Sequence, residues 1–349
     1  MLSFFIPVAI ILLAGLLTLS ALSLHFFALQ LVWIAVGVGI MTIFLFFDWR
    51  TLFSAPWVVW GVYGVSLFLM LAAYVGGPVI RNTHSWLVLG PFTLQPVELM
   101  KAALILVFAS YFSRRHFAIA RWRYIFASFA VFAVPAAIAA RLPDLGSAVI
   151  FFAIWFGFLL LSGLPLKRFL VAIVVFALAA GFLWTYVLKD YHRARIIGFL
   201  TPQTNALGVN YSLVQSKIAI GSAGWLGTGW GQGTQAQLGF LSEPTEDFIF
   251  AAFIEEWGMI GAVMLIGAFV ALIFAILAVG MRAQENFEKF ICLGVAIMFG
   301  TQFLLNAGSV TGLTPVVGVT FPFMSYGGSS MMVNSFLLAL VNAIRRSNR

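Results

Sequence analysis

"MLSFFIPVAIILLAGLL", residues 1–17, decides the class of fold. It holds no charged side chain, and no basic stretch precedes its apolar run. It therefore reads as a first transmembrane helix and not as a cleaved signal peptide. Runs of the same kind recur along the 349 residues, each close to the roughly 20 residues that carry a helix across a bilayer. The chain is 62% hydrophobic and 9% charged, whereas a soluble domain is about one quarter charged. A β-barrel would instead show short alternating segments. The expectation is an all-α polytopic membrane protein with about ten transmembrane helices, one integral membrane domain over 1–349.

The expected spans are 4–24, 27–47, 56–74, 97–112, 124–140, 147–161, 169–188, 248–279, 290–310 and 329–344. The eighth is long enough to be tilted or broken. With the N-terminus inside, the cytoplasmic connections and C-terminal tail carry 12 of the 19 Lys and Arg residues, the bias expected of cytoplasmic loops. The +8 net charge then reports orientation in a membrane and calls for no nucleic acid. The single cysteine, Cys292, excludes an internal disulfide framework.

Between the seventh and eighth spans lies a connection of 59 residues, 189–247, expected outside the membrane. Loops beyond about 15 residues are usually functional or disordered. Ile197, Phe199, Ile218, Trp225, Leu226, Trp230 and Phe240 make this one too apolar for disorder. It is expected to lie on the outer membrane face with its Trp residues at headgroup level. No internal repeat supports an inverted-repeat transporter.

Charges at membrane depth mark a polar cavity or pathway. In "LQPVELMKAAL", Pro96 suits a helix start and Glu98 and Lys101 share a face at i, i+3. Two readings stand: a self-neutralising pair that pins helices, or a cation for a phosphate-bearing ligand. In "RLPDLGSAV", Asp144 is either an N-cap or a partner that orients Lys101 or Arg141. In "LSEPTEDFIF", residues 241–250, three of the chain's 11 acidic residues crowd together: Glu243, Glu246 and Asp247. A helix N-terminus favoured by the macrodipole accounts for Glu246 or Asp247 without invoking function. Glu255, about 12 Å deeper along a continuous helix, would face the same cavity, and Glu256 would face away. "TFPFMSYGGSS", with Ser325, is either a simple helix start or a set of amides and hydroxyls for phosphate or sugar. No P-loop or H-E-x-x-H is present, and "GTGWGQG" lacks the βαβ setting of a dinucleotide site. The four His residues are scattered; a Mg or Mn ion on carboxylates and phosphates stays open as a cofactor.

Six pieces in order resemble the SEDS (shape, elongation, division and sporulation) family: "QPVELMK" (95–101), "RLPDLGSA" (141–148), "QSKIAIGSAG" (215–224), "GTQAQLGFL" (233–241), "DFIFAAFIEEWG" (247–258) and "PFMSYGGSS" (322–330). "KIAIGS" followed by "GTQ" resembles its RodA branch. The resemblance implies a peptidoglycan glycosyltransferase for cell elongation and shape. Such an enzyme joins the lipid II disaccharide to a nascent glycan strand at the outer face of the bacterial cytoplasmic membrane, releasing undecaprenyl pyrophosphate. A class B penicillin-binding protein is the implied transpeptidase partner. The family's essential aspartate falls on Asp247. Thr245-Glu246 replaces the family's usual His-Thr, leaving open whether Glu246 shares or tunes the role of Asp247, and Val97 stands where Ser is common.

On these terms Asp247 is the expected general base, with Lys101, Arg193, Arg195, Lys217 and Ser325 as substrate contacts and Glu98, Asp144, Glu246 and Glu255 in support. A pyrophosphate leaves without a proton once its charge is met, so one carboxylate suffices where a glycosidase needs two. From the residues alone, a lipid II flippase stands level with an enzyme, and a non-catalytic scaffold for a cell-wall synthase is a third reading.

Overall fold

The computed structural model describes residues 4–47, 49–78, 85–90, 92–114, 122–163, 197–199 and 210–348, with 168, 171, 181, 185 and 193 singly. The helices are α1 (Phe5–Leu22), α2 (Leu24–Phe46), α3 (Trp49–Ser54), α4 (Pro56–Gly76), α5 (Pro96–Ser113), α6 (Trp122–Arg141), α7 (Leu145–Leu161), α8 (Tyr211–Ser222), α9 (Thr234–Gln237), α10 (Ile249–Arg282), α11 (Asn286–Thr311) and α12 (Gly328–Ser347). Seven of them, α1, α2, α4, α5, α6, α10 and α11, are long and apolar enough to cross a membrane. With α7 and α12 they match nine of the ten expected spans, their bounds agreeing to within four residues. The tenth, 169–188, lies almost wholly outside the described residues.

One short hairpin was not expected. β1 (Leu87–Leu89) pairs antiparallel with β2 (Phe92–Leu94), turning through Gly90 at φ +64°, and leads directly into α5.

The bundle has two distinct poles. At one, the α12 C-terminus meets the chain start, where the Arg345 guanidinium lies 4.6 Å from the Phe4 ring centroid. Arg50 on α3 pairs there with Glu288 at the start of α11 at 2.6 Å, and Arg346 donates to the Leu45 carbonyl at 3.1 Å. At the other pole, Trp230 donates to the carbonyl of Leu17 near the end of α1, and Gln237 to that of Ala21. The beginnings of α5, α7, α10 and α12 share this second pole. A lipid bilayer supplies no hydrophobic drive between helices, so close packing holds them together. Around Phe321 the rings of Phe250, Phe269 and Phe303 stand 5.5–5.6 Å away centroid to centroid. They form an aromatic plug directly under the segment that joins α11 to α12.

The eighth span is broken. α10 runs 34 residues, about 51 Å at 1.5 Å per residue, but Gly258 sits at φ +69°, ψ −171°, a conformation essentially confined to glycine. Backbone from the preceding loop fills the gap. Thr228 and Gly229 donate to the carbonyls of Glu255 and Glu256 at 2.9 and 3.1 Å, and Met259 and Ile260 donate to those of Gly224 and Trp225 at 3.0 and 3.2 Å. Every backbone polar group at membrane depth needs a partner, and the loop supplies those the break frees. Trp225, Leu226 and Trp230 project outward from it, 75%, 78% and 56% exposed, as suits a segment at headgroup level.

Candidate functional site

Asp247 lies in a turn that ends where α10 begins. Glu243, at φ +45°, takes the left-handed conformation, and its carbonyl accepts from the N–H groups of Glu246 at 3.1 Å and Phe248 at 3.3 Å. A non-glycine residue held there stores strain that the surroundings must sustain. Phe323, at φ +65°, stores it on the facing segment.

That facing segment, residues 312–327, organises the whole pole. Tyr326 donates its N–H to the Thr245 carbonyl at 2.9 Å. The Ser325 hydroxyl donates to the Glu246 carbonyl at 2.6 Å and accepts from the Phe321 N–H at 2.8 Å. Asn306 on α11, 1% exposed, donates from Nδ2 to the carbonyls of Asp247 at 2.9 Å and Val319 at 2.7 Å. Gly318, at φ +66°, lies against the Asp247 carboxylate: a Cβ there would stand 3.3 Å from Oδ2. On its other side the segment meets α7, since a Cβ on Gly146 would press on the Val317 carbonyl and the Val319 side chain. Ser329 in the first turn of α12 accepts from Gln95, the N-cap of α5, at 3.0 Å. The starts of α7, α10 and α12 thus meet residues 312–327 beside Asp247, and α5 joins them through Ser329; each helix start carries a partial positive charge to that pole.

Lys101 and Glu98 form the ion pair that their spacing suggested, Nζ to Oε1 at 2.6 Å, both side chains buried. Asp144 caps α7, accepting from the Ser147 N–H at 3.0 Å and hydroxyl at 2.8 Å. Burial pushes the Asp144 carboxyl pKa up, while Ser147 and the charge of Lys101 pull it back. Asp144 is therefore an N-cap, while the Lys101 ammonium is held by Glu98.

Other expected residues lie elsewhere. Lys217 is exposed on α8, its ammonium against Gly312 at the C-cap of α11, where the helix dipole favours a cation. Arg193 donates to the Thr185 carbonyl at 3.0 Å. Arg195 lies outside the described residues. Glu255 does not face the Asp247 turn. Its carboxylate accepts from the N–H groups of Gln235 at 2.8 Å and Ala236 at 3.1 Å. Glu256, expected to face away, accepts from the Gly231 N–H at 3.1 Å, so both carboxylates grip one loop. They can do so because the loop wraps the break and reaches two faces of α10. Asn306 and Gly318 were not singled out from sequence. The sequence signal for Asn306 is an amide side chain within an apolar span. Among the described residues, no three His, Cys, Asp or Glu side chains come together for a metal ion. A Mg or Mn ion held by Asp247 would draw its remaining ligands from phosphate oxygens and water.

The whole chain, residues 1–349, matches the model of the FtsW/RodA/SpoVE family, described as cell cycle protein. A probable peptidoglycan glycosyltransferase FtsW of Saccharophagus degradans is 36% identical over 299 residues, covering 82% of this chain and 76% of the relative. The peptidoglycan glycosyltransferase MrdB of Escherichia coli K12 is 36% identical over 272 residues, covering 78% and 73%. Among solved structures, a chain from work on the structural coordination of polymerization and crosslinking by a peptidoglycan synthase complex superposes with TM-score 0.85 at 30% identity, covering 99% of this chain and 97% of that one. The crystal structure of Thermus thermophilus rod shape determining protein RodA gives TM-score 0.74 at 25% identity, covering 100% and 97%.

Proposed function

The chain belongs to the SEDS family of FtsW and RodA proteins and is a multi-pass membrane peptidoglycan glycosyltransferase, and from that premise we propose that it polymerises lipid II with Asp247 as the general base. One observation carries this reading: Asp247 stands at the pole where the starts of α7, α10 and α12 meet residues 312–327, with α5 tied to α12 beside them. A carboxylate beside convergent positive helix ends suits a reaction that needs one base and one anion-stabilising surface.

In the proposed step, the 4-hydroxyl of the acceptor sugar attacks the anomeric carbon of the donor. The bond from that carbon to the pyrophosphate oxygen breaks, and the hydroxyl proton passes to Asp247. Undecaprenyl pyrophosphate departs unprotonated, its charge met by helix N-termini and by cations. Lys217 is exposed beside Gly312, where the 312–327 segment begins, which favours it for direct contact; Arg193 is a candidate by its charge alone. Lys101 is buried against Glu98 and acts from behind through the α5 and α7 starts. Ser325 spends its hydroxyl on Glu246 and Phe321, which favours a part in shaping the turn over contact with substrate. Glu246 tunes its neighbour through the same turn. Both chain termini belong in the cytoplasm and Asp247 at the outer face: the Lys and Arg bias supports this, and the termini occupy the pole opposite Asp247. The "KIAIGS" and "GTQ" pieces support a role in elongation. A class B penicillin-binding protein as partner is supported by the similarity to a synthase complex that couples polymerization to crosslinking.

The test is polymerisation of purified lipid II. Asp247→Asn is expected to lower strand synthesis by about 10²–10⁴-fold, the usual contribution of a positioned base, with thermal unfolding unchanged. Near-normal synthesis by the folded variant would reject the base assignment. Translocation of labelled lipid II without polymer from the wild-type chain would favour a flippase.

A further inference from the structure

α2 turns most of its surface outward: of its 23 residues, only Gln30 and Gly37 are buried. Its inward face is one stripe, Phe26, Gln30, Trp33 and Gly37, at the i, i+4, i+7 and i+11 spacing of a single helix side. The stripe docks on the end of the 312–327 segment and on α12. The Phe26 and Tyr326 rings stand 4.7 Å apart centroid to centroid. Gly328 leaves room for the Trp33 indole, and Gly37 for the Ser335 hydroxyl. In the middle of the stripe Gln30, 1% exposed, donates from Nε2 to the Ser325 carbonyl at 3.3 Å. On the reading of Asp247 as the general base, we propose that Gln30 is a positioning residue for glycosyl transfer: from α2 it fixes the peptide group that holds the Asp247 turn.

The first reason is the geometry of that peptide group. The Ser325 carbonyl accepts from Gln30, and the Tyr326 N–H donates to the Thr245 carbonyl at 2.9 Å. These are the two ends of one planar unit, so holding the carbonyl sets the direction of the N–H. Hydrogen bonds joined through one amide also strengthen each other in a low-dielectric interior. The Ser325 hydroxyl reaches the Glu246 carbonyl at 2.6 Å from the same residue. Gln30 thus stands one peptide away from the contacts to Thr245 and Glu246, the two residues that precede Asp247.

The second reason is what Gln30 costs. Its Oε1 is buried without a hydrogen-bond partner. An unmet buried carbonyl offsets what one amide hydrogen bond contributes. Methionine has a similar length and would leave nothing unpaired on α2. Stability alone therefore does not call for glutamine at this position, whereas a fixed Ser325 carbonyl does. An apolar side chain would take this donor from the carbonyl and free the peptide plane to tilt.

Gln30→Met in the full chain tests the proposal, with three measurements on one preparation: thermal unfolding, kcat and KM for lipid II, and hydrogen exchange over 243–248 and 321–327. The melting temperature is expected to stay at or above that of the wild type. The kcat is expected to fall roughly three- to tenfold, the worth of one neutral hydrogen bond, with KM little changed. Exchange should rise in both segments. Val32→Met, on the exposed side of α2, is expected to change none of the three. The exchange measurement does not depend on which residue is the base, so a fully active Asp247→Asn would remove the base assignment and leave that result standing. Unchanged exchange at 243–248 in Gln30→Met would overturn the positioning. A melting temperature that falls along with turnover would reduce Gln30 to a pin for α2, and a kcat equal to the wild type would remove it from the reaction.

Discussion

Asn306 holds Asp247 by its backbone: the Asn306 Nδ2 donates to the Asp247 carbonyl at 2.9 Å from a site on α11 that is almost wholly buried. The same amide reaches Val319 at 2.7 Å. One side chain thus fixes the distance between the carboxylate-bearing turn and the segment that passes over it.

Asn306→Leu keeps the volume and removes both bonds, leaving two carbonyls without their donor. An unsatisfied buried group costs roughly 1–3 kcal/mol. Polymerisation is expected to fall at least tenfold in a chain that still inserts and melts cooperatively, because the turn moves while the bundle survives. Thermal unfolding and lipid II turnover, measured on one preparation, check it.

Gly318→Ala should damage activity more than stability. Its φ of +66° is unfavourable for alanine, by roughly 1–2 kcal/mol, and the added methyl would press on Asp247 Oδ2. Gly90→Ala carries a similar strain, φ +64° with nothing near the new methyl, and serves as the control. Lipid II polymerisation is expected to drop sharply for the first and little for the second.

Removing Lys101 alone strands the buried Glu98, which typically costs about 3–5 kcal/mol. Lys101→Met is therefore expected to melt well below the wild type, and Lys101→Met with Glu98→Gln to recover most of that loss. The double variant separates the two readings of the pair. If Lys101 supports the departing pyrophosphate electrostatically, the recovered protein still turns over slowly; if it only pins α5, turnover returns with stability.

Apolar length made the spans legible, since a helix that crosses a bilayer must be long and predominantly apolar wherever it occurs. The hairpin at 87–94 was written there too, as Gly90-Pro91 between two short apolar runs, but so short a β-element competes poorly with the helical pattern around it. The turn before α10 was marked by its crowded carboxylates. The grouping of Asn306, Gly318 and Ser325 about it was not, because side chains from 59 to 79 residues away meet there only through packing. Glu255 and Glu256 show the same limit. Helical geometry sets their angular separation, yet what each one faces depends on a loop that wraps the helix.

That loop supplies the last prediction. Gly258 and Gly227 approach backbone to backbone, and a side chain on either would collide with the other segment. Glu255 then fastens Gln235 and Ala236, and the Gln235 carbonyl accepts from the Leu241 N–H at 2.9 Å, six residues before Asp247. A break in α10 is thereby coupled to the placement of the turn at its head. Gly258→Ala is expected to expel the loop, since alanine favours a continuous helix in which the N–H groups of Met259 and Ile260 would take over the Glu255 and Glu256 carbonyls now bonded by Thr228 and Gly229. Glu255→Gln would leave the break intact but present an NH₂ group or a weaker acceptor to two N–H donors, at a cost of roughly 1–3 kcal/mol. Hydrogen exchange at 224–238 should therefore rise strongly in Gly258→Ala and moderately in Glu255→Gln, with polymerisation falling in the same order. Unchanged exchange at 224–238 in Gly258→Ala would mean that the loop holds its place without the break, and the coupling to Asp247 would fail with it.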